Sequence, residues 1–290
     1  IKYSGIKYYK NGAWYDPGAA GAIYAYKVFD GKLLIGPWRH CEMYSCNNHA
    51  KTWYEKTGRK ADLPNQAFPW EKEYIRFFDF ALKGVKNDWE TEPPVRYYTR
   101  GEVSGNEWKY AADIPLDTQM ITTLYLSGQK SGTISSRYDG SLTEAPEGKE
   151  EVISYRTERD ITLYGNGGTL DRRIEDGFAK EAQKCLTFTT EPFEAPVEIT
   201  GIPTLELDVT SDYEDGLFLA VLEEVYADGT TCFLTEGAMR ASHAKYGRHT
   251  AYLSLGLPYH PGLSSDLAKL NEKNPLHLDF TLEALSQLVQ

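Results

Sequence analysis

The sequence predicts an α+β chain: a strand–helix–strand unit of a parallel sheet near the start, then an antiparallel β-sandwich. Three observations predict it. Apolar runs at residues 6–9 and 33–35 flank a helical pattern. Residues 204–210 alternate apolar and polar side chains. Aromatics make up 13% of the chain beside 14 Pro and 25 Gly, a mix that favours short strands joined by turns.

The elements follow in order. Residues 6–9 read as a short buried strand, broken by Asp16-Pro17-Gly18. Pro17 suits the first position of a helix. Ala19, Ala20, Ala22, Ile23, Ala25 and Tyr26 continue that helix until Asp30-Gly31. Leu33-Leu34-Ile35 is the second strand, stopped by Gly36-Pro37. Parallel strands need such a crossover helix. Residues 41–68 lack a clean period and read as a long loop. Trp70, Tyr74, Phe77, Phe78, Ala81 and Leu82 fall at helical spacing, with Lys83-Gly84 as the stop. That aromatic stripe is read as a packing face.

From Pro93-Pro94 onward short strands take over. Leu205, Leu207 and Val209 share one face of a strand; Glu206, Asp208 and Thr210 share the other. Residues 217–225 form another strand, and Asp228-Gly229 marks a hairpin before residues 230–234. Residues 122–127, 151–156 and 185–190 are further candidates. At 290 residues the chain is long enough for two domains, placed at 1–92 and 93–290.

Composition narrows the function classes. The formal net charge is −11, and an acidic chain repels phosphate backbones, so nucleic acid is not expected as a partner. No apolar run approaches the roughly 20 residues that span a bilayer, so no membrane partner is expected. The 4 Cys are too few for a disulfide scaffold. Because the chain starts at Ile1 and ends without a terminal signature, it is expected to be a fragment cut at both ends. Compartment, cytoplasmic or exported, stays open, as does oligomeric state.

Two residues could carry chemistry. Asp16 follows the first strand and His40 follows the second, so both fall at the carboxyl edge of a sheet, where ligands and catalytic groups collect. An Asp that accepts the imidazole Nδ1 proton fixes the tautomer of a catalytic His. On spacing alone, an Asp at a helix start is more often a cap, and a lone His more often a surface or core residue. Trp14, Tyr15 and Trp38 neighbour the pair; they are candidates for the lining of a substrate pocket, and the two indoles equally for core.

The wording of these segments is more specific. Gly12-Ala13-Trp14-Tyr15-Asp16 and Gly36-Pro37-Trp38-Arg39-His40 resemble the G-W-x-D and G-P-W-x-H segments of the CocE/NonD hydrolase family. That family includes cocaine esterase-like enzymes, α-amino acid ester hydrolases, glutaryl acylases and Xaa-Pro dipeptidyl-peptidases. The first segment carries an extra Ala13; the second matches throughout. The resemblance continues at Phe77-Phe78-Asp79, Leu82-Lys83-Gly84 and Pro93-Pro94-Val95. It resumes over residues 197–203, Thr210-Ser211-Asp212, Asp228-Gly229 and Thr235-Glu236-Gly237.

The resemblance implies the C-terminal piece of an α/β-hydrolase domain followed by a jelly-roll of galactose-binding type. It implies Asp16 and His40 as two members of a catalytic triad. The third, a Ser on a G-x-S-x-G elbow, has no counterpart in the sequence. The expected function is therefore part of a serine hydrolase of ester, amide or Xaa-Pro bonds, inactive by itself and needing no cofactor or metal. Its partner would be a small ester, amide or peptide. The alternative is a non-catalytic jelly-roll module that binds carbohydrate or serves assembly. α-Amino acid ester hydrolases carry acids two and three positions after the triad Asp; Gly18 and Ala19 stand there, against that subclass.

Weaker signals have plainer readings. His40, Cys41, Cys46 and His49 are soft ligands crowded into ten residues, and a Cys41–Cys46 disulfide or free thiols suits them better than zinc. Gly165-Asn166-Gly167-Gly168 lacks the Lys-Ser/Thr of a phosphate loop and reads as a turn. Residues 144–151 read as a solvated acidic loop.

Overall fold

The computed structural model describes residues 4–29, 31–39, 68–102, 104–148, 151–157 and 182–290. The chain is mostly sheet with few helices, and its C-terminal strands form a β-sandwich. It divides into two compact units. One comprises Ile1–Asp117, Glu198–Leu222 and Thr235–Leu288; the other comprises Thr118–Val197, Glu223–Leu234 and Val289–Gln290.

The first unit contains a four-stranded sheet: β1 (Tyr9–Tyr15), β2 (Lys32–Arg39), β3 (Val95–Tyr98) and β4 (Trp108–Ala111), in that order. β1, β2 and β3 run parallel, and β4 is antiparallel to β3. Helix α1 (Ala19–Val28) makes the crossover from β1 to β2. The sheet thus runs on past Pro93-Pro94, where the sequence pattern changes.

Both strand boundaries differ from the sequence reading. β1 starts where the expected strand ends, and Ile6 is exposed. The strand instead passes through Asn11-Gly12, because α1 lies so close that a Cβ on Gly12 would stand 2.9 Å from Ala22 Cβ. β2 continues through Gly36-Pro37 rather than stopping there. The register slips at that point: Ala13 faces Gly36, but Tyr15 faces Arg39. This bulge gives Pro37, which has no N–H, a place inside a central strand.

Alternation divides the core between the two faces of the sheet. One face carries Trp14, Leu33 and Ile35, packed on Ala19, Ala22 and Ile23 of α1 and on Val95 and Ala284. The other carries Ala13, Leu34 and Trp38, packed on Phe68 and on Trp70 of helix α2 (Trp70–Lys83). α2 stops at Gly84, as its sequence predicts. Its packed face differs from the prediction. Trp70, Glu73 and Phe77 are buried, while Phe78 and Leu82 are exposed. Glu73 can enter the face because Tyr9 Oη donates to it at 2.9 Å and Arg76 Nη2 at 3.1 Å. A buried charge needs such partners.

The remaining strands are short. β5 (Tyr125–Ser127), β6 (Tyr138–Thr143) and β7 (Leu186–Thr189) form one sheet, in which β5 and β6 are antiparallel and β6 and β7 parallel. β8 (Val197–Gly201) pairs with β13 (Leu285–Val289), and β10 (Leu217–Val225) with β11 (Thr231–Arg240). β9 (Thr204–Val209) runs antiparallel to β12 (Leu276–Thr281). Leu205, Leu207 and Val209 pack together on Leu278 and Phe280, the face their alternation predicts. The Asp228-Gly229 turn closes the β10–β11 hairpin, with Tyr226 N–H donating to Thr230 O at 2.9 Å. Residues 151–157 do not form the expected strand: they pair with no described strand, and Val152 is exposed. Residues 276–290, without a distinctive sequence signal, supply two strands.

Candidate active site

Asp16 sits at the carboxyl end of β1, in the turn that leads into α1. Its backbone N–H donates to Ala13 O at 3.1 Å, and its carbonyl accepts from Ala19 N–H at 2.9 Å. Its side-chain Oδ1 accepts from Gly18 N–H at 2.7 Å. The turn therefore holds the Asp16 backbone from both sides and the carboxylate at one oxygen, and the residue is half-buried. Asp16 is not the helix cap that spacing allowed: the N-cap of α1 is Gly18, and Asp16 Oδ1 instead closes the turn before it.

His40 lies outside the described residues, as do Cys41, Cys46, His49 and the segment expected as a turn at residues 165–168. What the structure describes is the strand that leads to His40. Tyr15 pairs with Arg39 in the parallel ladder. Asp16 and His40 are thus the residues that follow a matched pair on neighbouring strands, which run about 5 Å apart.

The Gly-Pro-Trp segment has a structural logic of its own. The Trp38 indole folds back across Gly36, where any Cβ would overlap the ring. It is 2% exposed and packs against Trp70 at 4.7 Å between ring centroids and Phe68 at 5.5 Å. Trp14 is 4% exposed in the core on the opposite face, and its Nε1 donates to Tyr98 O at 2.6 Å. The two indoles that flank the proposed pair therefore fill two separate cores, each anchoring the strand end that bears one of the two residues. Tyr15 is half-buried, with the Arg100 guanidinium 4.4 Å from its ring centroid. Arg100 is itself tied to β13: its N–H donates to Ser286 O at 3.0 Å, and its carbonyl accepts from Leu288 N–H at 2.7 Å.

One acidic residue was not singled out by the sequence. Glu283 lies in the turn between β12 and β13, and its Oε2 is buried without a hydrogen-bond partner. Burial, with the nearby Asp16 carboxylate adding to it, pushes the Glu283 carboxyl up to about 7. The signal available in sequence was an acid inside the apolar run Leu282-Glu283-Ala284-Leu285. Among the described residues no cluster of His, Cys, Asp and Glu could hold a metal ion, and no helix is long and apolar enough to cross a membrane.

The model of the X-Pro dipeptidyl-peptidase C-terminal non-catalytic domain matches residues 87–290. A candidate serine esterase of Mycobacterium bovis is 30% identical over 301 residues, covering 100% of this chain and 44% of the relative. The cocaine esterase of a Rhodococcus species is 28% identical over 237 residues, covering 78% of this chain and 39% of the relative. Among solved structures, a CocE/NonD family hydrolase from Staphylococcus aureus superposes with a TM-score of 0.68 at 20% identity. That superposition covers 97% of this chain and 43% of the other, and at this identity it speaks for the fold. The chain spans less than half the length of each of these relatives. With the domain match over residues 87–290 and relatives along the whole length, the chain belongs to the CocE/NonD hydrolase family, as a C-terminal region that carries the X-Pro dipeptidyl-peptidase C-terminal domain.

Proposed function

We propose that the complete gene product is a serine hydrolase in which Asp16 and His40 are the acid and the base of the triad. The nucleophilic Ser would come from outside these residues. The observation that supports the reading is the Tyr15–Arg39 pairing, since Asp16 and His40 are the residues next in sequence after that pair. The Ser would attack an ester, amide or Xaa-Pro carbonyl. His40 would take its proton and return it to the leaving group, and Asp16 would hold the imidazole tautomer and stabilise the imidazolium. The acyl-enzyme would then be released by water. Trp14 and Trp38 would act from the cores, as supports for the strand ends that floor the substrate pocket, with Tyr15 at its rim.

A fluorophosphonate probe applied to the complete gene product tests this reading. Wild-type protein should be labelled on a Ser, and His40→Ala should abolish both labelling and ester turnover. Unchanged labelling and turnover in His40→Ala would sink the assignment. The family match to a non-catalytic domain favours a second reading for residues 87–290 alone: a module for carbohydrate binding or assembly. Binding of a glycan by that region in a glycan array, with no hydrolysis by the complete gene product, would favour the module.

A further inference from the structure

From the way β13 holds the end of β3 we infer that Arg100 is a positioning residue for Tyr15: it sets a buried cation against the Tyr15 ring and so fixes one side of the proposed pocket rim. The contact stands on geometry alone. Its consequence for substrate rests on the proposed hydrolase.

Arg100 follows the last residues of β3 and is 4% exposed. A cation so far out of water needs partners. Its Nε donates to Ser286 O at 3.4 Å, a long bond, and its guanidinium carbon stands 4.4 Å from the Tyr15 ring centroid. The electron-rich face of a ring attracts a cation most where water is excluded. In the sheet β2 lies between β1 and β3, so Tyr15 and Arg100 together bridge two strand spacings, about 10 Å. Trp14 Nε1, which donates to Tyr98 O at 2.6 Å, ties the same two strand ends a second time.

The backbone of Arg100 is clamped by β13. Its N–H donates to Ser286 O at 3.0 Å, its carbonyl accepts from Leu288 N–H at 2.7 Å, and it forms a parallel bridge with Gln287. Ser286 is fully buried, and its Oγ donates to Thr99 Oγ1 at 3.1 Å. Gly101 lets β13 come this close: its φ is +78°, and a Cβ there would stand 2.4 Å from Leu288 O. The Arg100 side chain therefore leaves from a fixed point and meets a half-buried ring. Fixing the ring lowers the cost of ordering it when substrate arrives, which is a gain in binding. Arg100 and β13 fall within the region matched to a non-catalytic domain, and Tyr15 falls before it. That domain would then shape the pocket through one side chain.

The test uses the complete gene product with Tyr15→Leu, Arg100→Met, their combination and Arg100→Lys. The first readout is the melting temperature, which needs no activity. Each of the two single changes should melt about 2–5 °C below wild type. The double variant should fall no more than about 1 °C below the worse single one, because either change removes the same contact. Additive losses overturn the inference. Should Arg100→Met not fold, Tyr15→Leu decides by itself: the NMR resonance of the Arg100 Nε–H, shielded by the ring in wild type, should move downfield, and an unmoved resonance overturns the inference. The second readout is ester kinetics. Arg100→Met should raise KM about fivefold with kcat within about twofold, and Arg100→Lys, which keeps a cation for the ring, should recover part of that affinity. A wild-type KM in Arg100→Met would overturn the consequence for substrate. Wild-type protein that turns over no ester defeats the hydrolase reading instead, and the melting cycle still decides whether Arg100 holds Tyr15.

Discussion

Tyr15 and Arg39 are paired across the parallel strands β1 and β2, one register step beyond a bulge that absorbs Pro37. Without that bulge the two strands would end out of step. The residues that follow this pair in sequence are Asp16 and His40, the proposed acid and base.

The acid should be essential in a particular way. Asp16→Asn keeps an acceptor for Gly18 N–H, so the turn into α1 should persist. In the complete gene product it should lower kcat for an ester by about ten-thousand-fold, the scale expected when a triad His loses its orienting carboxylate. Steady-state kinetics with circular dichroism as the folding control measures this. A loss under tenfold would remove Asp16 from the triad.

Gly36 should tolerate no side chain. Gly36→Ala sets a methyl against the Trp38 ring, which is already packed on Trp70 and Phe68. The expected cost is about 1–3 kcal/mol from overpacking. Urea denaturation should show a lower midpoint with an unchanged slope. A second variant, Gly36→Ala with Trp38→Leu, should recover part of the loss, because the smaller side chain makes room.

Trp14 should be held by its polar edge as well as its bulk. Trp14→Phe removes the donor to Tyr98 O and leaves a buried carbonyl to find another partner. About 1–2 kcal/mol of stability should be lost from the hydrogen bond, besides the lost contact area. Thermal unfolding measures the change. A melting temperature equal to wild type would mean that the indole N–H contributes nothing.

Stability should depend on pH through Glu283. Its folded-state value, about 7, lies above the ordinary 4.5 of a Glu. Between those values the folded chain holds a proton that the unfolded chain has released. Folding is therefore not penalised below about pH 4.5, and stability falls as pH rises toward 7 and levels off above it. Glu283→Gln should flatten this limb and leave the variant more stable than wild type at pH 8, by an amount on the order of 1 kcal/mol after allowing for the partial exposure of the group. Denaturation midpoints at pH 5 and pH 8 provide the comparison, and equal differences at the two pH values would contradict it.

Local pattern alone was enough for several elements. The alternation at residues 204–210 identifies β9 and its buried face, because a period of two leaves one side for the core. Residues 217–225 match β10 along its whole length. The stop of α2 at Gly84 and the turn at Asp228-Gly229 are also local, since they depend on which residues accept a turn. Asp16 and His40 are proposed from the sequence for another reason: the segments that bear them resemble a family, and each follows an apolar strand pattern.

Other features were decided only when distant residues met. Gly36-Pro37 read as a breaker, yet it lies inside β2, where the bulge absorbs Pro37 and the Trp38 ring covers Gly36. Glu73 lies in a packed helix face because Tyr9 and Arg76 arrive to satisfy it. Glu283 reads as one acid in an apolar run, and packing leaves its Oε2 buried without a hydrogen-bond partner. The sequence by itself determined the strand and turn grammar and named the candidate acid and base. The tertiary structure alone decided which breakers became strands and which carboxyls were buried, because close approach and loss of water are properties of the packed chain and of no local segment.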